Sequence, residues 1–207
     1  MADERRLAMF PVSTVLFPYG RLPLHVFEPR YRRLVTDCLA GEGRLGVVLI
    51  ARGSEVGGGD ERFDVGTVAR IEAAEPQPDG RWHLVVGGLD LIRVRRWLED
   101  SPYPSALVQD VDAVPTEDGD DLRVAELELR RVRALLSELG EAPPMPAALS
   151  LGDSPDEIAW RLCALAPVNA FDRQRLLEAS GPRDRLVLLL DLLRAVGEDV
   201  RRILAGG

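Results

Sequence analysis

Hydrophobic residues follow two different periods along this chain, and the period changes near residue 115. Before that point, short apolar runs of strand length are separated by proline, glycine and acidic residues. After it, apolar residues recur every three to four positions, the spacing of one face of an α-helix. The pattern predicts an α+β protein, with a β-rich domain over residues 1–115 and an all-α helical bundle over residues 116–207.

The first part contains eight apolar runs that predict strands. They are Leu7–Phe10, Val15–Phe17, Leu22–Phe27, Leu45–Ala51, Asp64–Glu75, Arg81–Val86, Leu89–Leu98 and Ser105–Val114. The run Leu45–Ala51 is continuously apolar, which predicts burial on both faces. Pro76–Gly80 predicts a tight turn and Gly53–Arg62 a loop. Strands at this short spacing, with one helix among them, predict a small, partly closed β-barrel.

Five segments have helical signals. The first opens at Glu28 and Pro29 and closes at Gly41, because proline favours a first helical position and glycine a C-terminal end. Its predicted buried stripe is Tyr31, Leu34, Val35, Cys38 and Leu39. The other predicted helices run over 122–139, from Ser154 to about Ala166, from Asn169 to Ala179, and from Pro182 to about Leu204. Ser154 and Glu157 have the spacing of a capping box.

The charge composition excludes several chemistries. The net charge is −8, and both parts of the chain are acidic, which argues against a broad nucleic-acid or anionic-membrane surface. All 26 basic residues are arginine. Without a lysine, this chain cannot perform Schiff-base chemistry, form a Ser-Lys dyad or supply the lysine of a nucleotide P-loop.

The candidate metal-binding and nucleophilic residues are few. Cys38 and Cys163 stand alone and are expected in the core, and His25 and His83 lack partners at metal-ligand spacing. We therefore predict no catalytic residue, no metal site and no cofactor. The sequence has no apolar run of signal-peptide or membrane-span length, which predicts a cytoplasmic protein without membrane association.

The stretch from Phe10 to Tyr31, FPVSTVLFPYGRLPLHVFEPRY, resembles the opening of the N-terminal substrate-binding domain of Lon proteases. That family's motif is FPLxxxVLFPGxxLPLxIFEPRY. Similar matches follow at Leu45–Ile50, Val65–Ile71 and Asp79–Arg81, and a weaker one to the family's KQxLLE stretch lies at Asp172–Glu178. The resemblance implies a PUA-like β pseudo-barrel followed by a helical bundle.

The resemblance also implies a function, the binding of unfolded or degradable polypeptides. It suggests an adaptor or competitor role beside an ATP-dependent protease in a bacterial cytoplasm. Protease activity is not implied, because the chain has neither a P-loop nor a Ser-Lys dyad, so we expect a stand-alone, non-enzymatic module. Tyr19 departs from the motif where glycine is common, and Leu91 and Ile92 stand where the family has an arginine followed by an aromatic residue.

The expected polypeptide-binding residues lie around the first strands: Tyr19, Leu22 and Phe27 as apolar contacts, with Arg21 and Arg30 at the rim. Two other functions stay open. A PUA-like barrel can bind RNA, which would require the arginines near positions 30–33 and 93–96 to form one patch. A hydrolase would require clustered Ser, His and Asp residues. The oligomeric state is not predicted.

Overall fold

The computed structural model describes residues 4–53, 59–143, 145–146 and 148–206. The chain forms two compact units, Met1–Ala113 and Val114–Gly207. The division falls close to the point at which the hydrophobic period changes. The first unit is built on a sheet and the second consists of helices.

The described part of the first unit has six strands and one helix. These are β1 (Arg5–Val12), β2 (Arg21–Val26), α1 (Pro29–Ala40), β3 (Arg44–Arg52), β4 (Glu61–Pro76), β5 (Trp82–Trp97) and β6 (Ser105–Asp110). The hydrogen-bonded order is β2-β5-β4-β3-β1-β6, and β6 also pairs with β5. Five strands therefore close into a barrel, and β2 lies outside the ring beside the first half of β5. Among the described strands, only β1 and β3 are parallel neighbours.

Two apolar clusters flank the barrel wall, and β3 contributes to both. Leu45 and Val47 belong to the cluster that includes the buried face of α1, whereas Val48 belongs to the cluster that includes Met9 and Ile92. Successive strand residues point to opposite faces, so an unbroken apolar run fits a strand with both faces covered. The predicted burial of β3 on both faces is confirmed.

Several predictions for the first unit were wrong. Residues 13–20 form an irregular loop rather than a strand at Val15–Phe17, because Phe17 (1% exposed) fills the core without strand pairing. The two runs around Gly87 and Gly88 form one continuous strand, β5. The last strand ends at Asp110, four residues earlier than predicted. Leu39, which was predicted to lie on the buried stripe of the first helix, is 42% exposed. The predicted loop Gly53–Arg62 ends earlier, since β4 begins at Glu61, and its residues 54–58 lie outside the described residues.

The second unit contains four helices within its described ranges: α2 (Asp120–Glu138), α3 (Pro155–Leu165), α4 (Ala170–Glu178) and α5 (Pro182–Gly206). The Ser154 hydroxyl accepts a hydrogen bond from the Glu157 backbone N–H at 3.2 Å, as the capping box predicts. The Glu157 carboxylate accepts from the Asp153 N–H at 3.1 Å instead of the Ser154 N–H, so the predicted box is displaced by one residue. No described helix has an apolar stretch that could cross a membrane.

Two arginines, the half-buried Arg173 and the buried Arg185, stabilise helix ends in the second unit. Arg173 donates to the Ala164 and Ala166 carbonyls at 3.0 and 3.3 Å, at the C-terminal end of α3. Arg185 is 5% exposed, and it donates to the Leu176 carbonyl of α4 at 3.2 Å. These cations satisfy carbonyl groups that a helix end leaves without partners, and their charge favours the negative end of the helix dipole.

Candidate polypeptide-binding surface

Strand β2 is the edge strand of the sheet, and within the described part of the chain it pairs only with β5. Leu24 and Val26 are buried, whereas Arg21, Pro23 and His25 are exposed. Proline is tolerated at an edge because it has no backbone N–H to contribute to a ladder. One face of β2 therefore packs on the core and the other is open to solvent.

Tyr19 lies just before β2, in a turn held by β5. Its backbone N–H donates to the Gly88 carbonyl at 3.0 Å, and the Gly88 N–H donates to the Gly20 carbonyl at 2.8 Å. A Cβ at Gly88 would lie 2.2 Å from the Phe17 carbonyl oxygen, so only glycine permits this approach. Tyr19 has φ of +59° and is 50% exposed. A left-handed conformation is costly for a bulky residue, and glycine adopts it freely.

Phe27 lies just beyond the other end of β2 and is also 50% exposed. It borders a small cavity of about 40 Å³ that Phe10 and Tyr31 also line. The rings of Phe10 and Tyr31 stack with centroids 4.4 Å apart. Burial is the main cause that raises the pKa of Tyr31 to about 12, so its hydroxyl stays neutral at physiological pH. Phe27 therefore stands beside a firmly packed aromatic pair.

The charged residues expected at the rim differ in accessibility. Arg21 has a side chain that is 74% exposed and forms an ion pair with Glu72 at 2.7 Å. Arg30 has a side chain that is only 19% exposed; its Nε lies 3.1 Å from Glu28 Oε2, and its guanidinium lies 4.6 Å from the Tyr31 ring centroid. Arg21 is open to a ligand, whereas Arg30 mainly orders the start of α1.

The five predicted residues do not form one pocket. Leu22 is partly buried and packs on the core cluster beneath β2. A six-residue strand spans roughly 20 Å, and Tyr19 and Phe27 lie beyond its opposite ends. The arrangement is a line along an edge strand, with an exposed aromatic side chain at each end.

The two predicted arginine groups lie on different elements of the first unit. Residues 30–33 are on α1, and residues 93–96 are on the half of β5 that pairs with β6. Arg95 is engaged by Gln109, to which its Nε donates at 2.7 Å. The arginines that the RNA-binding alternative requires to form one patch thus stand on two separate elements.

One pair of residues was not identified from the sequence. His25 and His83 face each other across β2 and β5, with ring centroids 4.4 Å apart. No group of three or more side chains that could hold a metal ion occurs among the described residues. Only the strand register, which local sequence pattern does not reveal, could have predicted this contact.

The sequence model of the ATP-dependent protease La (LON) substrate-binding domain matches residues 6–195. The chain belongs to the Lon substrate-binding domain family. The Lon protease of Anaeromyxobacter dehalogenans (strain 2CP-C) is 30% identical over 186 residues, which are 87% of this chain and 22% of that protein. The chain thus spans about a fifth of the length of this Lon protease.

Solved structures of Lon N-terminal domains confirm the α+β fold. A Lon N-terminal domain protein from Xanthomonas campestris matches with a TM-score of 0.67 and 27% identity, over 90% of this chain and 98% of that one. The N-terminal domain of the Mycobacterium avium complex Lon protease matches with a TM-score of 0.61 and 18% identity, over 92% of this chain and 98% of that one. This second match supports the fold alone.

Proposed function

We infer that this protein is a non-enzymatic module that binds unfolded or degradable polypeptides along strand β2. The observation that carries this proposal is the placement of two half-exposed aromatic side chains, Tyr19 and Phe27, beyond the two ends of an edge strand. Extended peptides commonly bind beside exposed sheet edges, where the backbone provides affinity and side-chain contacts provide selectivity. Arg21 and Leu22 lie between the two aromatic residues.

The backbone strain at Tyr19 supports the same proposal. An exposed aromatic residue in a left-handed conformation contributes neither core packing nor relaxed backbone geometry. Strained backbone conformations of this kind cluster at functional sites. A role in contacting a bound polypeptide explains why a tyrosine stands at a position where the Lon family motif commonly has glycine.

The chemistry of the reactive side chains supports a non-enzymatic role. Burial is the main cause that raises the pKa of Cys38 to about 11 and of Cys163 to about 12, so both thiols are protonated and poorly nucleophilic. Two free, buried cysteines are also typical of a reducing compartment, which supports a cytoplasmic location. Membership of the Lon substrate-binding domain family supports an adaptor or competitor role beside an ATP-dependent protease.

Fluorescence anisotropy with a labelled unfolded polypeptide tests this function. We expect saturable binding at about 0.15 M salt, and weaker binding to a structured RNA of matched charge. Phe27→Ser should weaken polypeptide binding. Phe171→Ser is the matched control, because Phe171 is 57% exposed but lies on α4 of the other unit.

Three results would contradict the proposal. Polypeptide binding could be absent, or it could be equally sensitive to the two phenylalanine substitutions. The third is binding to RNA alone, weakening steeply with salt, which would favour the RNA-binding alternative.

A further inference from the structure

An open groove of about 520 Å³ lies between α1 and the turn that connects β4 to β5. Its described lining includes three arginines, Arg32, Arg33 and Arg81, and no acidic residue. Pro29, Pro76 and Trp82 form its apolar walls. We name this feature the arginine groove.

The three guanidinium groups are not equally neutralised. Arg33 forms an ion pair with Asp37 at 2.9 Å, and Arg81 forms one with Asp79 at 2.6 Å. Arg32 forms no ion pair with any carboxylate of the described residues. Two carboxylates thus face three cations, and the remaining positive charge belongs to Arg32.

Arg32 is also partly withdrawn from water. Its side chain is half-buried, and its guanidinium lies so close to Gly80 that a Cβ there would be 2.1 Å from Nη2. Gly80 has φ of +80°, which glycine permits, and the absence of a side chain leaves room for the guanidinium. A partly desolvated cation without a counter-ion is unfavourable, so the groove favours an anionic ligand.

The groove lies beside the proposed client path. Trp82 pairs with Val26, the last residue of β2, and Pro29 follows Phe27 by two residues. A polypeptide lying along β2 and contacting Phe27 would therefore pass the mouth of the groove. Its walls combine apolar surface with one unneutralised guanidinium, which suits an apolar segment that carries a carboxylate.

We propose that the arginine groove binds an acidic side chain of the captured polypeptide, through Arg32. This inference rests on the proposed polypeptide-binding function and specifies the class of client, apolar segments that contain Glu or Asp. Guanidinium matches a carboxylate with two parallel hydrogen bonds. A long polyanion such as RNA fits less well, because the protein has a net charge of −8 and Trp82 is the only aromatic residue among the described lining residues.

Two labelled peptides of equal length, amidated at the C-terminus, test this proposal. One alternates apolar residues with Glu and the other has Gln at the same positions, so they differ only in side-chain charge. We expect the protein to bind the Glu peptide about tenfold more tightly, as a charge-assisted pair in a half-buried site allows. Arg32→Gln should abolish the difference between the peptides.

Arg93→Gln is the matched control, because Arg93 is an exposed arginine on the part of β5 that pairs with β6. It should preserve the preference for the Glu peptide. Thermal unfolding of both variants, followed by circular dichroism, verifies that each is folded.

The outcomes separate this inference from the proposed function. Equal affinities of the wild-type protein for the two peptides would overturn the groove assignment and leave polypeptide binding standing. A preference that survives Arg32→Gln would also overturn it. Binding of neither peptide would contradict both proposals, and stronger binding of a charge-matched RNA than of the Glu peptide would assign the groove to nucleic acid.

Discussion

Two arginines, one in each unit, lie near a tryptophan but differ in their remaining contacts. In the helical unit, Arg185 lies 3.6 Å from the Trp160 ring centroid and donates to the Leu176 carbonyl. In the β-rich unit, Arg32 shares the arginine groove with Trp82 and forms no ion pair within the described residues. Arg185 is buried and its guanidinium is hydrogen-bonded within the chain, whereas Arg32 is half-buried and its guanidinium is available to bind a ligand.

This difference separates a structural cation from a binding cation. Burial lowers the pKa of Arg185, yet the guanidinium remains charged because arginine titrates far above physiological pH. Its contacts are made within the chain, so removing it should cost folding stability. Removing Arg32 breaks no described ion pair, so its loss should appear in ligand binding and hardly in stability.

The largest expected effect is a loss of folding stability, seen when the same substitution is made separately at each of the two arginines. Arg185→Met should lower the free energy of unfolding by about 2–4 kcal/mol, because it removes a charge-assisted hydrogen bond and a cation–π contact. Arg32→Met should change it by less than about 0.5 kcal/mol. Urea unfolding followed by circular dichroism measures both values. If Arg32→Met lowered the free energy of unfolding as much as Arg185→Met, the distinction between a structural and a binding arginine would be contradicted.

Alanine substitutions at two glycines test whether the space at Gly80 positions the Arg32 guanidinium. Gly80→Ala should cost about 1–2 kcal/mol, because alanine is strained at positive φ, and its methyl group should also displace the Arg32 guanidinium. Gly43→Ala is the control, since Gly43 has φ of +68° and a Cβ there would meet nothing within 4 Å. Denaturant melts should show similar losses for both. Only Gly80→Ala should reduce the preference for the Glu peptide, and a similar reduction by Gly43→Ala would contradict the assignment.

Tyr19→Asn should raise folding stability while it weakens polypeptide binding. Asparagine tolerates the left-handed conformation better than tyrosine, so stability should rise by up to about 1 kcal/mol. Polypeptide binding should weaken, because the exposed ring is lost. Differential scanning calorimetry and anisotropy measure the two effects. A variant that binds clients as well as the parent would show that Tyr19 lies outside the binding surface.

The smallest effect concerns the ion pair at the turn. Hydrogen bonds from the side chain and backbone of Arg81 lower the pKa of Asp79 below its usual value near 4. A carboxylate with a lowered pKa in the folded state adds stability above its unfolded pKa and loses it as pH falls through its folded pKa. Asp79→Asn should therefore be slightly less stable than the parent at pH 7, because an exposed pair contributes little.

Urea melts at several pH values measure that difference, which should disappear well below pH 4. Asp118→Asn makes the same charge change at an exposed aspartate of the other unit and serves as the control. A difference that persists in strong acid would show that Asp79 acts through its shape and not its charge.

The elements that local pattern specifies were predicted well. The helix from Pro29 ends at Gly41 as expected, and Ser154 and Asn169 cap their helices through side-chain hydrogen bonds. The burial of β3 follows from its unbroken apolar run. Such features depend on neighbouring residues, so they can be identified without knowledge of distant contacts.

The features that were missed depend on distant contacts. Val15–Phe17 is apolar because its side chains fill a core, and only the fold shows that no strand partner is present in the described residues. The arginine groove requires α1 to approach the turn at Gly80, far away in sequence. The resemblance indicated the family, and the placement of Arg32 beside Gly80 came only from the structure.

Hydrogen–deuterium exchange of the protein saturated with an unfolded polypeptide is the most direct test of binding along β2. We expect amide protection to increase at residues 19–27, along β2 and its two aromatic ends. Protection should also increase at residues 29–36 and 76–82 when the polypeptide contains acidic side chains. Protection confined to residues 114–207, or an unchanged exchange pattern at saturating polypeptide, would contradict binding along β2.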